Sequence, residues 1–264
     1  MSEYNALDAE FIRANLDTSR IGREILVYKS TSSTNDIAAE YAKAGDKNDG
    51  LAVFAEHQTA GRGRRGNQWL SGKGKSVLCS VVFFEPKIEA DMITITAAVA
   101  VVETIDKNAK IKWPNDILLG GKKTAGILVE AFTKNKKKYF IIGIGINCHQ
   151  SKKDFDGELA SIATSIDIES GTVCDRNRIA KRLLVNLEHF LDIAVKDPDE
   201  IVERWRAASM LFGKRITVEH NGAQFTGNCI GVEPAEGLII QLERGGVRMF
   251  HAVSTTIVKN GTEM

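Results

Sequence analysis

Between positions 57 and 69 the chain reads HQTAGRGRRGNQW, and three glycines and three arginines fill its middle six positions. Gly61, Gly63 and Gly66 would let the backbone turn at positive φ and approach a ligand closely. Arg62, Arg64 and Arg65 offer planar forks that match phosphate or carboxylate oxygens. Anion binding is the chemistry such a loop could do. The spacing Gly61-x-Gly63-x-x-Gly66 also fits the dinucleotide-binding fingerprint, but that turn must open a helix, and Asn67, Gln68, Trp69, Leu70 and a glycine-broken stretch follow instead. A P-loop fails too, because Lys73 precedes Gly74 rather than Ser or Thr. A solvated basic loop or a nucleic-acid patch is the plainer alternative.

A second group lies in IKWPNDIL at 111–118, where one lysine ends an apolar run just before a proline turn. Pro114 restricts Trp113, so Lys112 leaves a fixed frame. A desolvated ammonium there would attract a polyanion and pin a reacting phosphate. Standing alone, the same lysine could equally lay its stem on the core and put its head in water.

The elements that must position these residues follow from period and punctuation. Strands are expected at 24–29, 51–55, 76–84 and 139–148, the last an almost wholly apolar run suited to a central strand. A helix opened by Ser33, with Asp36 in a capping-box-like place, runs to Gly45, and another fits 91–107. A short strand ends at Lys112, and 117–119 pairs with 123–132 through Gly120-Gly121. From 158 to about 208 the pattern is mostly helical, with a clear helix start at Asp197-Pro198. Beyond Gly213 come short alternating runs at 214–219, 223–231, 237–242, 247–252 and 255–258, a small β-barrel signature, so a boundary is placed near 211–213.

At 264 residues, with 35 basic and 34 acidic side chains, the chain has an enzyme-sized core and no charge excess that would favour sequence-independent nucleic-acid or membrane binding. No apolar stretch is long enough to span a bilayer, and the reading is cytoplasmic. Cys79, Cys148, Cys174 and Cys229 are scattered, and Cys148-His149 has no ligand-type residues close in sequence, so buried free thiols are expected rather than zinc or disulfides. Of the five histidines only His57, beside the arginine loop, invites a functional role.

Ser33-Thr34-Asn35, Gln58 through Trp69, Lys112 through Asp116, Ala125-Gly126-Ile127-Leu128 and Gly143 through Asn147 occur in that order, and together they closely resemble biotin protein ligases. The resemblance covers about residues 24–150, and the C-terminal unit more loosely. Asn67, Gly72 and Ser76 depart from residues common in the family, which bears on loop geometry and affinity rather than on the reaction. It implies an α+β fold: a mixed β-sheet catalytic domain flanked by helices at 1–212, then a small SH3-like β-barrel at 213–264.

The implied reaction joins biotin to AMP with ATP and passes the biotinyl group to a lysine of a biotin carboxyl carrier protein or domain. Lys112 and Arg64 carry over as catalytic. Biotin falls to Ser33, Thr34, Asn35, Gln58, Gly61, Arg62, Gly63, Arg64, Lys112, Ala125 and Gly126. ATP falls to Arg62, Arg64, Arg65, Trp69, Lys112, Asn115 and Asn147, with Mg²⁺ shielding the leaving phosphates through ligands that are not assigned. Asp116 is either a turn cap or a partner of metal or amine. Loop 60–74 is expected to order over the adenylate and exclude water. Only about twenty residues precede the first strand, too few for the helix-turn-helix some members carry, so no nucleic-acid partner is expected. A homodimer through the valine-rich runs is left open. The rivals are a lipoate or octanoate adenylating ligase of the same broad fold, a nucleic-acid-binding protein, and an inactive adenylate-binding relative.

Overall fold

A computed structural model describes residues 5–134 and 137–258. In chain order it contains α1 (Ala9–Arg13), β1 (Ile25–Tyr28), α2 (Thr34–Ala44), β2 (Ala52–Ala55), β3 (Ser76–Phe83), α3 (Ala90–Ile105), β4 (Lys110–Lys112) and β5 (Asp116–Leu119). Then come β6 (Lys122–Lys134), β7 (Lys137–Asn147), α4 (Leu159–Ile162), α5 (Ile166–Ser170), α6 (Arg176–Lys196) and α7 (Pro198–Ala208). The C-terminal strands are β8 (Arg215–His220), β9 (Ala223–Glu233), β10 (Gly237–Leu242), β11 (Val247–Phe250) and β12 (Thr255–Ile257).

Seven of the described strands form one mixed sheet in the order β1-β2-β3-β7-β6-β5-β4, with β1 and β2 parallel and the other described neighbours antiparallel. Each face is covered by helix, which is why β3 is buried along its whole length. On one face α2 lays Ala38 and Ala42 against Val53, Val82 and Ile141. On the other, α3 and α6 pack against the sheet in a far larger apolar cluster. The inward stripe of α6, with Ile179, Leu183, Leu187 and Leu191 four residues apart, explains that docking. Asp175 caps α6 by accepting from the N–H groups of Asn177 and Arg178, and Asp197 caps α7 ahead of Pro198, as the sequence anticipates.

Ser33 does not cap α2 with its side chain, although its spacing to Asp36 suggested a capping box. The acceptor is Gln58, whose Oε1 lies 2.7 Å from the Thr34 N–H. Long-range pairing wins because Asp36 is drawn away to Arg62.

The small C-terminal β-unit is a five-stranded antiparallel sheet in the order β11-β10-β9-β8-β12, and among the described residues no ladder between β11 and β12 closes it. Its inner residues Val218, Leu238, Ile240 and Phe250 belong to the same buried cluster as α3 and α6. The connection from α7 to this sheet is tied to the first one, where Met210 N–H donates to Ile111 O of β4 at 3.0 Å. No described helix is long and apolar enough to cross a membrane.

Candidate active site

Alternation along β7 sorts two functions onto two faces. Ile142, Ile144 and Ile146 enter the large core, so the intervening Gly143 and Gly145 lie on the face shared with α2. Register sets Gly145 between Leu78 and Gly126, and Gly143 between Ser80 and Leu128. The result is a floor across β3, β7 and β6 that lacks side chains at Gly126, Gly143 and Gly145 and carries Leu78, Ser80 and Leu128 beside them. Larger residues would not fit: a Cβ at Gly145 would fall 2.6 Å from Cε2 of Trp69, and one at Gly126 would fall 2.9 Å from its Cζ3. A Cβ at Gly143 would collide with the Asn35 amide. By the same alternation Ala125 lies in the core and is not brought to the cavity.

The polar end of this cavity is built by the first turn of α2. Ser33, Thr34 and Asn35 are all nearly buried yet belong to its wall. Gln58 Oε1 accepts from Thr34 Oγ1 at 3.0 Å, Ser80 Oγ sits 2.6 Å from Asn35 Oδ1, and Asn35 Nδ2 donates to Glu130 at 2.6 Å. Such a chain fixes several donors and acceptors at once in a place where unpaired groups would be costly.

The glycine-arginine segment forms a tight lid. Trp69 N–H donates to Gly61 O at 2.9 Å and Gly63 N–H to Asn67 O at 2.7 Å, around a 3₁₀ turn at Arg64–Gly66. Of the three glycines only Gly66 has positive φ, 77°, whereas Arg65 itself is left-handed at 57°. Gly61 serves close approach instead, since a Cβ there would meet Trp69 O at 2.6 Å. At the base of the lid Gly74 N–H donates to Glu56 O, and the Glu56 carboxylate is held by buried Arg176 at 2.9 Å.

The three arginines go to three places. Arg62 pairs with Asp36 and with Glu130 at 3.1 Å; burial opposes its cation, but these carboxylates outweigh it and raise its pKa. Arg64 is directed inward beside the cavity, where burial and the Arg65 cation lower its pKa. Arg65 leaves the first sheet: it donates to Thr256 Oγ1 at 2.7 Å and to the carbonyls of Ala252, Val253 and Thr255. It does not line this cavity.

At the opposite end Lys123 stands in the wall, 2.6 Å from Asp116 Oδ1 and 5.5 Å above the Trp69 ring. Lys112 ends β4 as the register partner of Asp116, one step outside the wall. The Trp113–Pro114 peptide bond is cis. Asn115 clamps β6, with its Nδ2 donating to Ile127 O at 2.8 Å. Asn147 donates to Thr164 O at 3.0 Å and faces a neighbouring cavity of about 860 Å³, against about 170 Å³ for the glycine-floored one. Gln58, Gln68, Trp69 and Lys123 line both. Trp69 Nε1, Ser71 Oγ and Gln150 Oε1, from residues lining the larger cavity, are buried without a partner. His57 lies at its rim, with Nδ1 3.3 Å from Ser30 Oγ.

Sequence reasoning assigned no site role to Gly143, Gly145, Gln68, Lys123, Ser80 or Glu130. The glycines alternating with isoleucines were the available signal. Behind the wall of the larger cavity, folding brings His149 the ligand-type residues that its sequence neighbours do not supply, against the expectation of no metal site there: Asp167 Oδ2 lies 2.7 Å and Cys174 Sγ 3.9 Å from its Nδ1.

Residues 27–147 match the profile of the biotin/lipoate A/B protein ligase family. The bifunctional ligase/repressor BirA of Bacillus subtilis is 33% identical over 249 residues, covering 91% of this chain and 76% of that protein. The biotin–[acetyl-CoA-carboxylase] ligase of Mycobacterium tuberculosis is 32% identical over 230 residues, covering 83% of each. Among solved structures, the biotin protein ligase of Aquifex aeolicus in complex with biotin and ATP shares the fold, with a TM-score of 0.76 at 24% identity over 90% of this chain and 100% of that one. The chain thus belongs to the biotin/lipoate A/B protein ligase family, on its biotin protein ligase side, and is an enzyme of the ligase class.

Proposed function

We propose that the enzyme activates biotin with ATP to biotinyl-5′-AMP and then transfers the biotinyl group to a lysine of a biotin carboxyl carrier protein or domain. The observation that carries this reading is a pair of cavities sharing Gln58, Gln68, Trp69 and Lys123, one floored by glycines and one with orphaned polar atoms. Biotin suits the first. Its ureido ring needs donors and acceptors together, which Ser33, Thr34, Asn35 and Gln58 supply, and its thiophane ring suits the apolar indole of Trp69, which the glycine floor lets into the wall. ATP suits the second, where a base and ribose would relieve Ser71 Oγ and Gln150 Oε1, whose burial unpaired costs about 1–3 kcal/mol each.

In the first step a biotin carboxylate oxygen bonds to the α-phosphorus as the bond to the bridging oxygen breaks and pyrophosphate leaves. Lys112 and Arg64 balance the charge that gathers there, and Arg64 is already desolvated for that task. Mg²⁺ carried on the triphosphate would shield the leaving group; it needs only one or two protein carboxylates, and Asp116 in the wall of the smaller cavity and Asp154 in that of the larger are the ones that would hold it. In the second step the acceptor amine attacks the acyl carbon and AMP leaves, while the lid keeps water out. The division into 1–212 and 213–264 is part of this proposal, with the second unit anchoring the lid.

ATP–pyrophosphate exchange with biotin, lipoate or octanoate tests the reading. Exchange should depend on biotin and vanish in Lys112→Ala; exchange with lipoate alone would transfer the function to that acid, whose dithiolane presents no ureido donors.

A further inference from the structure

His149, Asp167 and Cys174 come together from three separate segments. His149 follows the end of β7, Asp167 sits in the first turn of α5, and Cys174 lies in the turn before α6. Their potential ligand atoms, Nδ1, a carboxylate oxygen and Sγ, all fall within 4.8 Å of one another. The backbone is arranged to hold them: Asp167 N–H donates to Cys148 O at 3.1 Å, and Cys174 N–H donates to Asp167 Oδ1 at 2.8 Å. That leaves Oδ2 turned to the imidazole. We propose that these three residues form a binding site for a divalent metal ion of the zinc class, with water in the fourth position.

Distances support this choice. Tetrahedral zinc with bonds of about 2.05 Å to nitrogen or oxygen and about 2.3 Å to sulfur sets its ligands about 3.3 Å (N to O) and about 3.6 Å (N to S) apart. The corresponding separations here are 2.7 Å and 3.9 Å. The carboxylate must therefore withdraw from the imidazole by roughly half an ångström and the thiol approach it by less, while carboxylate and thiol, within 4.8 Å of each other, close to about 3.6 Å, motions within side-chain reach. The donor set decides the class of ion. Mg²⁺ and Ca²⁺ demand six or more ligands, nearly all oxygen, whereas an imidazole, a thiol and one carboxylate suit a borderline-soft ion.

His149 is nearly buried and Asp167 is partly open, so the site has a protein-facing side and a solvent-facing side. Zinc would bind the Cys174 thiolate, the displaced thiol proton passing to solvent; the nearby Cys148 thiol and burial keep that thiol protonated in its absence. Bound there, the ion would cross-link the end of β7 to α5 and the turn before α6. Asn147 and Gln150, in the wall of the larger cavity, flank Cys148 and His149, so this wall is what the ion would stiffen.

The test uses the full chain, stripped with a chelator and titrated with Co²⁺ and then Zn²⁺. One Co²⁺ per chain should bind with thiolate-to-cobalt charge-transfer bands and the intense visible bands of four-coordination, and Zn²⁺ should displace it. Cys174→Ser should abolish the charge-transfer bands. Asp167→Asn, whose amide can keep both hydrogen bonds and hence the fold, should weaken Co²⁺ binding at least about tenfold while leaving metal-free far-UV dichroism unchanged. No stoichiometric uptake by the unaltered chain, or the same spectrum in Cys174→Ser, overturns the proposal. The readout is metal content, so failure here is separate from failure of the ligase reading.

Discussion

The two faces of β7 are made from alternate residues of one strand and do opposite work. Ile142, Ile144 and Ile146 fill the core, whereas Gly143 and Gly145 make room for Asn35 and Trp69. The difference teaches that a central strand can hold its fold with one set of side chains while the set pointing the other way is removed to seat the residues that line a cavity. It also predicts that stability and activity can be damaged separately from neighbouring positions.

The largest effect is expected on the core face. Ile146→Ala, at a fully buried site, should lower unfolding free energy by about 2–5 kcal/mol in a denaturant titration, with exchange per folded molecule nearly intact. Its neighbour on the other face should do the reverse: Gly145→Ala should leave the melt within about 1 kcal/mol but cut biotin-dependent exchange roughly 100-fold, by displacing Trp69. If both variants lose stability equally, the division between faces is wrong.

The core face also carries an acid-sensitive clasp. Glu188 of α6 accepts the backbone N–H groups of Ser19, Arg20 and Ile21; burial opposes ionisation, but these donors outweigh it and lower the carboxyl from 4.5. Its contribution is present above about pH 4.5 and lost as pH falls through the folded value. Glu188→Gln should cost on the order of 1 kcal/mol at neutral pH and flatten the acid limb of the stability profile. The smallest effect sharpens the comparison at the lid: Arg65→Ala should speed protease cleavage within 60–74 about threefold, and unchanged cleavage would show that the C-terminal sheet does not hold the lid.

Much of this was legible in the sequence. Arginine density and the residues just after the Lys112-Trp113-Pro114 turn marked both ends of the glycine-floored cavity, and turn residues placed nearly every strand. What stayed hidden depends on partners distant in sequence. Arg62 finds Glu130, Arg65 finds 252–256, and His149 finds Cys174, pairings that no local period encodes. Gly143 and Gly145 were hidden differently: in an apolar run they read as part of a buried strand, and only a two-residue period separates the face that packs from the face that yields. Ala125 and Gly126 differ for the same reason.

Arg65 stands midway along a segment whose ends are already joined at Glu56 and Gly74. Fastened to 252–256, the lid is no longer one long loop but two short ones, each with far fewer conformations to lose. On the proposed function, much of the disorder that a substrate would otherwise have to remove has then gone when the chain folds, and the C-terminal sheet would strengthen binding at a cavity it does not line.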